Sequence, residues 1–121
     1  MKKTFYINPI PKPRMTRSDK WKKRPCVVRY WKYKTELQGK MDICGIDIDD
    51  VIKVKFGVHM PKSWSKKKRN EMNGKPHQQR PDVDNLVKGL MDCLFKEDAH
   101  IHTVHAQKVW SEVGYMEFDV D

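Results

Sequence analysis

Two aspartates and a lysine lie close together near the middle of the chain. Asp82 and Asp84 are two residues apart, and Lys88 follows Asp84 by four residues. Positions i and i+4 share one face of an α-helix, so Asp84 and Lys88 are neighbours if a helix starts here. Asp82 converges with Asp84 only from extended backbone before that helix, since two helical residues at this spacing point about 200° apart. The pattern predicts a helix with Asp82 at its N-cap and a polar cluster at its first turn.

Carboxylates further along the chain can complete this cluster. Glu97 and Asp98 come just after the predicted helix and just before the next strand. Several carboxylates beside a lysine suit a hard cation such as Mg²⁺, which prefers oxygen ligands. Such a cation polarises a phosphodiester and lowers the pKa of a bound water, while a lysine neutralises charge that develops in the transition state. The alternative is structural: Asp82 caps the helix, Asp84 and Lys88 form a surface ion pair, and Glu97-Asp98 is a solvated turn.

The distribution of charge favours the catalytic alternative. The 121 residues carry a net charge of +9, but residues 1–80 contain 22 Lys or Arg against 7 Asp or Glu, and residues 81–121 contain 3 against 9. A region this basic attracts polyanions, of which nucleic acid is the commonest. Carboxylates next to phosphate-binding residues repel the ligand unless they hold a cation. The charge pattern therefore indicates a metal-dependent reaction on nucleic acid.

Apolar periodicity predicts an α+β fold, with one domain over residues 1–121. Strands are expected at residues 4–10, 52–60, 104–110 and 115–120, and two main helices at residues 27–44 and 82–94. The order β-α-β-α-β-β predicts a small mixed sheet packed against the two helices. The last two strands are close enough along the chain to form a hairpin. Residues 62–79 are polar and contain six Lys or Arg, and a mobile basic loop is predicted there.

Other classes of protein and of site fit less well. No apolar segment reaches the roughly 20 residues of a membrane span, and no signal-type apolar region lies near the N-terminus. The cysteines Cys26, Cys44 and Cys93 have no paired spacing, so we expect reduced thiols in a cytoplasmic protein. Membrane and secreted classes are therefore excluded, and nothing indicates a small-molecule cofactor.

Three histidines raise the alternative of a zinc site. His100, His102 and His105 follow Asp98, but no cysteine pair or His-Glu helix motif completes a zinc ligand set. We interpret them as surface groups or as neighbours of the metal ligands. His100 is the closest to Asp98 and is the candidate to test, together with Glu97.

The run Asp82-x-Asp84-Asn85-Leu86 with Lys88, followed by Glu97-Asp98, resembles the RusA-type Holliday-junction resolvases. The segments Pro11-Lys12-Pro13-Arg14, Tyr33-Lys34-Thr35 and His59-Met60-Pro61 also agree, so the resemblance covers nearly the whole chain.

The resemblance implies a small homodimeric endonuclease that cuts branched DNA and depends on Mg²⁺, with Mn²⁺ as a substitute. It implies that Asp82, Asp84 and Asp98 hold the metal and that Lys88 assists at the phosphate. Family members often have paired aspartates where this chain has Glu97-Asp98, and Asp98 matches the functional one. A homodimer also has an independent argument, since two symmetric nicks in a four-way junction need two active sites. Members are frequent in prophages, so a mobile-element origin is implied.

Basic and aromatic residues supply the expected contacts with DNA. Trp64, beside the lysine-rich segment, is the candidate for stacking on unpaired bases, whereas Trp110 in a strand is expected in the core. The predicted phosphate contacts are Arg14, Arg17, Lys66, Lys67, Lys68, Arg69, Lys75 and Arg80. A non-catalytic protein that binds junctions or single strands in phage replication is the alternative function, and in that case the carboxylates only cap and solvate.

Overall fold

The computed structural model describes residues 2–14 and 24–120. Its elements are, in order, β1 (Lys2–Phe5), α1 (Pro25–Cys44), β2 (Val51–His59), α2 (Lys66–Met72), α3 (Val83–Leu94), β3 (Thr103–Ser111) and β4 (Tyr115–Asp119). The predicted α+β class with a mixed sheet is confirmed. Arg17 lies outside the described residues. None of the described helices is long and apolar enough to cross a membrane.

The sheet has the strand order β1-β4-β2-β3, with β2 at its centre. β3 runs parallel to β2, from the pair Val51↔Thr103 to the pair His59↔Ser111. β4 runs antiparallel to both β2 and β1. The predicted hairpin between β3 and β4 is therefore wrong. The crossover through α3 makes β3 parallel to β2, and β4 then pairs with the other edge of β2, where its apolar residues complete the core.

The core lies between one face of the sheet and the helices α1 and α3. The apolar stripes predicted for both helices are buried except at their ends, where Cys44 of α1 and Val83 of α3 are exposed. The alternating apolar face of β2 is also buried. Trp110 is also buried, as predicted. The central members of the core are Tyr30, Tyr33, Leu37, Ile52, Val54, Phe56, Leu86, Leu90, Met116 and Phe118.

Residues 62–79 are not all loop, because Lys66–Met72 form the helix α2. The side chain of Ser65 accepts a hydrogen bond from the backbone N–H of Lys68 at 3.2 Å, which caps this short helix. The next residues add a short pairing to the outer edge of β3: the N–H of Gly74 donates to the carbonyl of Trp110, and the N–H of His77 donates to the carbonyl of Lys108. Contacts with β3 thus order a segment that lacks an apolar stripe of its own.

Candidate active site

The N-terminus of α3 carries the first two predicted metal ligands. Asp82 is the N-cap residue, with extended backbone (φ −68°, ψ 146°), and Asp84 lies in the first turn. This is the backbone conformation that convergence of the two residues requires. Both residues are exposed, and the Asp82 side chain makes no capping hydrogen bond. An aspartate at an N-cap commonly accepts a hydrogen bond from a first-turn N–H, so without that bond the oxygens of Asp82 are available to a ligand.

Contacts on the inner face of α3 fix the position of this turn. A Cβ at Gly89 would lie 3.0 Å from the backbone nitrogen of Lys12, so the helix approaches the proline-rich segment as closely as a glycine allows. The Gly89 carbonyl also accepts a hydrogen bond of 2.8 Å from the Tyr30 hydroxyl of α1. Lys88 is exposed, one helical turn after Asp84. Asp82, Asp84 and Lys88 are thus all exposed within the N-cap and the first two turns of α3.

Lys108 of β3 holds the chain immediately before Asp82. Its ammonium group donates hydrogen bonds to the carbonyls of Gln79 and Pro81, the latter at 2.7 Å. These carbonyls lie on either side of Arg80, so one cation fixes both ends of the short segment that leads into α3. Lys108 was not among the residues predicted for the site. One feature of the sequence could have indicated it. Lys108 is on the same face of its strand as Ala106, which packs against the core, and the buried Trp110, so a lysine here needs a polar partner.

His77 supports the same segment from the outer edge of β3. It is buried, its ring lies 4.2 Å from the ring of Trp110, and its backbone N–H donates to the carbonyl of Lys108 at 3.1 Å. Burial, and secondarily the charge of Lys108, lowers the pKa of His77. Within the described part of the chain its Nδ1 has no hydrogen-bond partner. A neutral imidazole in this position avoids placing a second positive charge beside Lys108.

The other predicted ligands lie beyond the opposite end of α3. Asp98 is half-buried in a turn in which its carbonyl accepts a hydrogen bond from the N–H of Ile101 at 3.0 Å. The Glu97 carboxylate accepts a hydrogen bond from the N–H of Ala99, and the exposed His100 contacts the ring of Phe95 edge-on at 5.0 Å. A helix of 12 residues is about 18 Å long. The structure therefore places Asp82 and Asp84 at the start of α3 and Asp98 beyond its other end.

The described residues of one chain do not form a complete metal site. Among residues 2–14 and 24–120, no three His, Cys, Asp or Glu side chains are grouped closely enough to hold a metal ion. Within those ranges, no third side chain of these types joins Asp82 and Asp84 at the start of α3.

A groove borders the first turn of α3 on the side of the proline-rich segment. Its volume is about 770 Å³, and its walls come from residues 8–14, the start of α1, the end of β2, and Pro81 and Asn85. Arg14, which the sequence analysis predicted as a phosphate contact, is exposed at this groove. Arg29 and His59 also line it, and both are exposed. Neither residue was predicted as a DNA contact. Arg29 lies two residues after Val27, the first residue of the apolar helix stripe, and this spacing could have indicated that Arg29 faces solvent.

A second basic surface is formed by α2. Lys66, Lys67 and Lys68 are exposed, as are the predicted contacts Lys75 and Arg80 further along. The ammonium of Lys68 lies 4.3 Å from the centre of the Trp64 ring. That ring in turn packs against Trp110 at 4.7 Å, so one side of Trp64 is already covered. Because Trp110 and Lys68 both contact this ring, a base that stacks on Trp64 would compete with them.

Arg69 differs from its lysine neighbours because its guanidinium is bound within the protein. It donates to the carbonyl of Pro61 at 3.0 Å and to the carbonyl of Trp64 at 3.3 Å. It also forms an ion pair of 3.3 Å with Glu112, and its side chain is only 20% exposed. These contacts connect the start of the α2 segment to the turn after β3. The guanidinium of Arg69, predicted as a phosphate contact, thus has structural partners within the protein.

Comparison with known proteins identifies one family. A family model described as endodeoxyribonuclease RusA matches residues 7–120, which is nearly the whole chain. No curated protein matches the chain. The matched range includes the proline-rich segment, the carboxylates at both ends of α3 and the strand that carries Lys108.

Proposed function

Because the chain belongs to the RusA endodeoxyribonuclease family, we propose that it resolves four-way DNA junctions by metal-dependent hydrolysis of phosphodiester bonds. The observation that supports this most strongly is the first turn of α3. Asp82 and Asp84 are exposed there, the Asp82 carboxylate is free of the helix, and Lys88 lies one turn further on. A protein that only binds DNA gains nothing from two free carboxylates beside a basic groove.

The oxygen ligands fit a hard divalent cation. We assign Asp82 and Asp84 as metal ligands, with Asp98 as the third, and Glu97 and His100 as further candidates. When bound, Mg²⁺ or Mn²⁺ would polarise the scissile phosphate and lower the pKa of the attacking water. Lys88 contributes a positive charge to the phosphate oxygens as negative charge develops on them.

A homodimer can supply the ligand that one chain lacks. Since α3 separates Asp98 from Asp82 and Asp84, we propose that each site combines the first turn of α3 of one chain with Asp98 of the partner subunit. A two-fold dimer then has two such sites, as paired symmetric nicks in a four-way junction require. In this arrangement a monomer holds no complete site and has no nuclease activity.

The first experiment compares a labelled four-way junction with linear duplex and single strand, in Mg²⁺ and in EDTA. We expect paired symmetric nicks in the junction alone, and only with Mg²⁺ or Mn²⁺. Tight binding of the junction without nicks in any divalent metal would instead support the non-catalytic binding protein. Nicks that persist in EDTA would contradict the metal-dependent mechanism.

Single carboxylate variants test the ligand assignment. Asp82→Asn, Asp84→Asn and Asp98→Asn should each abolish nicking while junction binding is kept or strengthened, since each removes a negative charge that repels DNA. Asp42→Asn, on the exposed surface near the end of α1, is the matched control and should nick normally. A ligand variant that cleaves at the wild-type rate would remove that residue from the site.

Mixing two inactive variants tests the shared site. A heterodimer of Asp82→Asn and Asp98→Asn chains contains one site with both residues intact if each site is shared between subunits. We therefore expect co-refolded mixtures to regain single nicks, although each variant alone is inactive. If all three ligands came from one chain, every site in the mixture would remain damaged and no activity would return.

A further inference from the structure

The groove beside the first turn of α3 combines basic side chains with an apolar wall. Arg14, Arg29 and His59 come from three different parts of the chain and meet at this groove. In the described ranges, none of these three side chains forms a hydrogen bond or an ion pair. Lys12 also lines the groove, but it is already paired with Asp92 of α3. The groove therefore has two arginines and a histidine available to an anion.

The wall of the groove is rigid and mostly apolar. It includes Pro9, Pro11 and Pro13, together with Val58 and Pro81. Proline rings have fixed backbone φ angles, so this surface loses little conformational entropy when a ligand binds. An apolar wall with cations along it suits a nucleotide strand, because bases and sugars present apolar faces while the phosphates need positive charge.

The size of the groove favours one strand over a duplex. Its volume of about 770 Å³ is typical of pockets that enclose small ligands, which range from about 300 to 1,000 Å³. A groove of this volume cannot enclose a duplex, which would contact it only with its outer surface. A few nucleotides of one strand fit this volume, provided that they are not paired.

The groove also leads directly to the carboxylates. Pro81 precedes Asp82, Asn85 follows Asp84, and both Pro81 and Asn85 line the groove. If a DNA strand occupies the groove, its next phosphate therefore lies beside the first turn of α3.

We propose that this groove binds a few nucleotides of an unpaired DNA strand on one side of the scissile phosphate. The identity of that phosphate rests on the proposed nuclease function, whereas binding of the strand does not. Arg14 and Arg29 contact its phosphates, and the proline wall contacts its sugars and bases. The groove thereby favours a junction, in which the strand next to the cut can unpair at the crossover, over a continuous linear duplex.

Protection of a cysteine offers a test that does not depend on cleavage. Cys26 lines the groove, Cys44 is exposed at the other end of α1, and Cys93 is buried, with a pKa raised by burial. In EDTA, the oligonucleotide dT8 should slow the reaction of Cys26 with a thiol reagent and leave that of Cys44 unchanged. A blunt duplex at the same nucleotide concentration should protect Cys26 much less. Equal reactivity of Cys26 with and without saturating dT8, or equal protection by the duplex, would overturn the proposal.

Substitutions test which side chains bind the strand. Arg29→Met should weaken dT8 binding by about tenfold, as expected for loss of a charge-assisted bond to phosphate, and should lower the salt slope by about one. Arg29→Lys should recover part of the affinity, and Arg14→Met gives a second variant from another part of the groove. Lys40 lies about 16 Å beyond Arg29 along α1, so the Lys40→Met variant should bind dT8 normally. Normal dT8 binding by both arginine variants would contradict the proposal.

The two proposals fail separately. Protection of Cys26 by dT8 together with an absence of nicks in Mg²⁺ would support the groove and reject the nuclease. Metal-dependent nicks in a four-way junction without protection of Cys26 would support the nuclease and reject the groove.

Discussion

The ammonium of Lys108 donates a hydrogen bond of 2.7 Å to the carbonyl of Pro81, the residue that precedes Asp82. A second bond from the same ammonium reaches the carbonyl of Gln79. Lys108 lies on β3, in the rigid sheet, whereas Asp82 ends an irregular segment. The sheet thus fixes the position of the Asp82 carboxylate, which the irregular segment alone would not fix. Lys108 therefore acts as a positioning residue for the proposed metal site.

Loss of this lysine should reduce catalysis without reducing DNA binding. Lys108→Met removes both hydrogen bonds, and we expect nicking to fall by about 10- to 100-fold, in the range seen when a group that orients a metal ligand is removed. The Mg²⁺ concentration for half-maximal nicking should rise, while junction affinity in EDTA stays near that of the wild type. Lys96→Met, an exposed lysine beyond α3, is the control. An unchanged Mg²⁺ dependence for Lys108→Met would refute the positioning role.

Arg69 and Lys67 should have opposite effects on stability and on DNA binding. Arg69→Met removes hydrogen bonds to two carbonyls and an ion pair, and should lower the free energy of unfolding by about 1–3 kcal/mol. Lys67→Met alters an exposed side chain, so stability should change by less than about 0.5 kcal/mol, while the salt slope of junction binding falls by about one. Urea unfolding and binding titrations at several salt concentrations measure the two quantities. A stable Arg69→Met protein with weakened DNA binding would restore Arg69 as a phosphate contact.

Burial of His77 should make stability depend on pH. Burial, followed by the charge of Lys108, lowers the pKa of His77 below its ordinary value of 6.5. In acid the unfolded chain therefore binds a proton at His77 before the folded chain does. The contribution of His77 to stability is complete above about pH 6.5 and is lost as the pH falls below it.

Replacement of His77 should remove this dependence. For His77→Phe, the free energy of unfolding should change less between about pH 7 and pH 5 than it does in the wild type. The exposed His105 provides the control, and His105→Gln should retain the wild-type slope. Urea unfolding at several pH values gives both slopes, and an equal slope for His77→Phe would show that His77 titrates alike in both states.

Two glycines should respond in opposite ways to the same substitution. A Cβ at Gly57 would lie 2.1 Å from the ring of Tyr115, which is its partner on β4. Gly57→Ala should therefore lower the free energy of unfolding by about 1–3 kcal/mol, and Tyr115→Ala in the same chain should restore part of it. Gly39 lies in α1 with open space around it, so Gly39→Ala should raise stability by about 0.5–1 kcal/mol. A stabilising Gly57→Ala would contradict the close contact.

The sequence alone determined the local elements and the polarity of their faces. The apolar stripe after Asp82 predicted α3, which spans Val83–Leu94, and the alternation around Phe56 predicted β2, which spans Val51–His59. Both patterns arise within one element, since the period of the helix or strand sets which side chains share a face. The extended backbone of Asp82 was predicted from the same helical period, because two helical residues at this spacing point about 200° apart.

Only the tertiary structure decided which elements and which distant residues meet. Alternation predicts that β3 and β4 are strands but says nothing of their partners, and both proved to flank β2. The α2 segment is ordered by contacts with Trp110 that its own polar sequence does not indicate. The proximity of Lys108 to Pro81, and the separation of Asp98 from Asp82 by the length of α3, depend on how the crossover lies against the sheet. Local periodicity carries no information on such long-range contacts, because they are selected by the burial of the whole core.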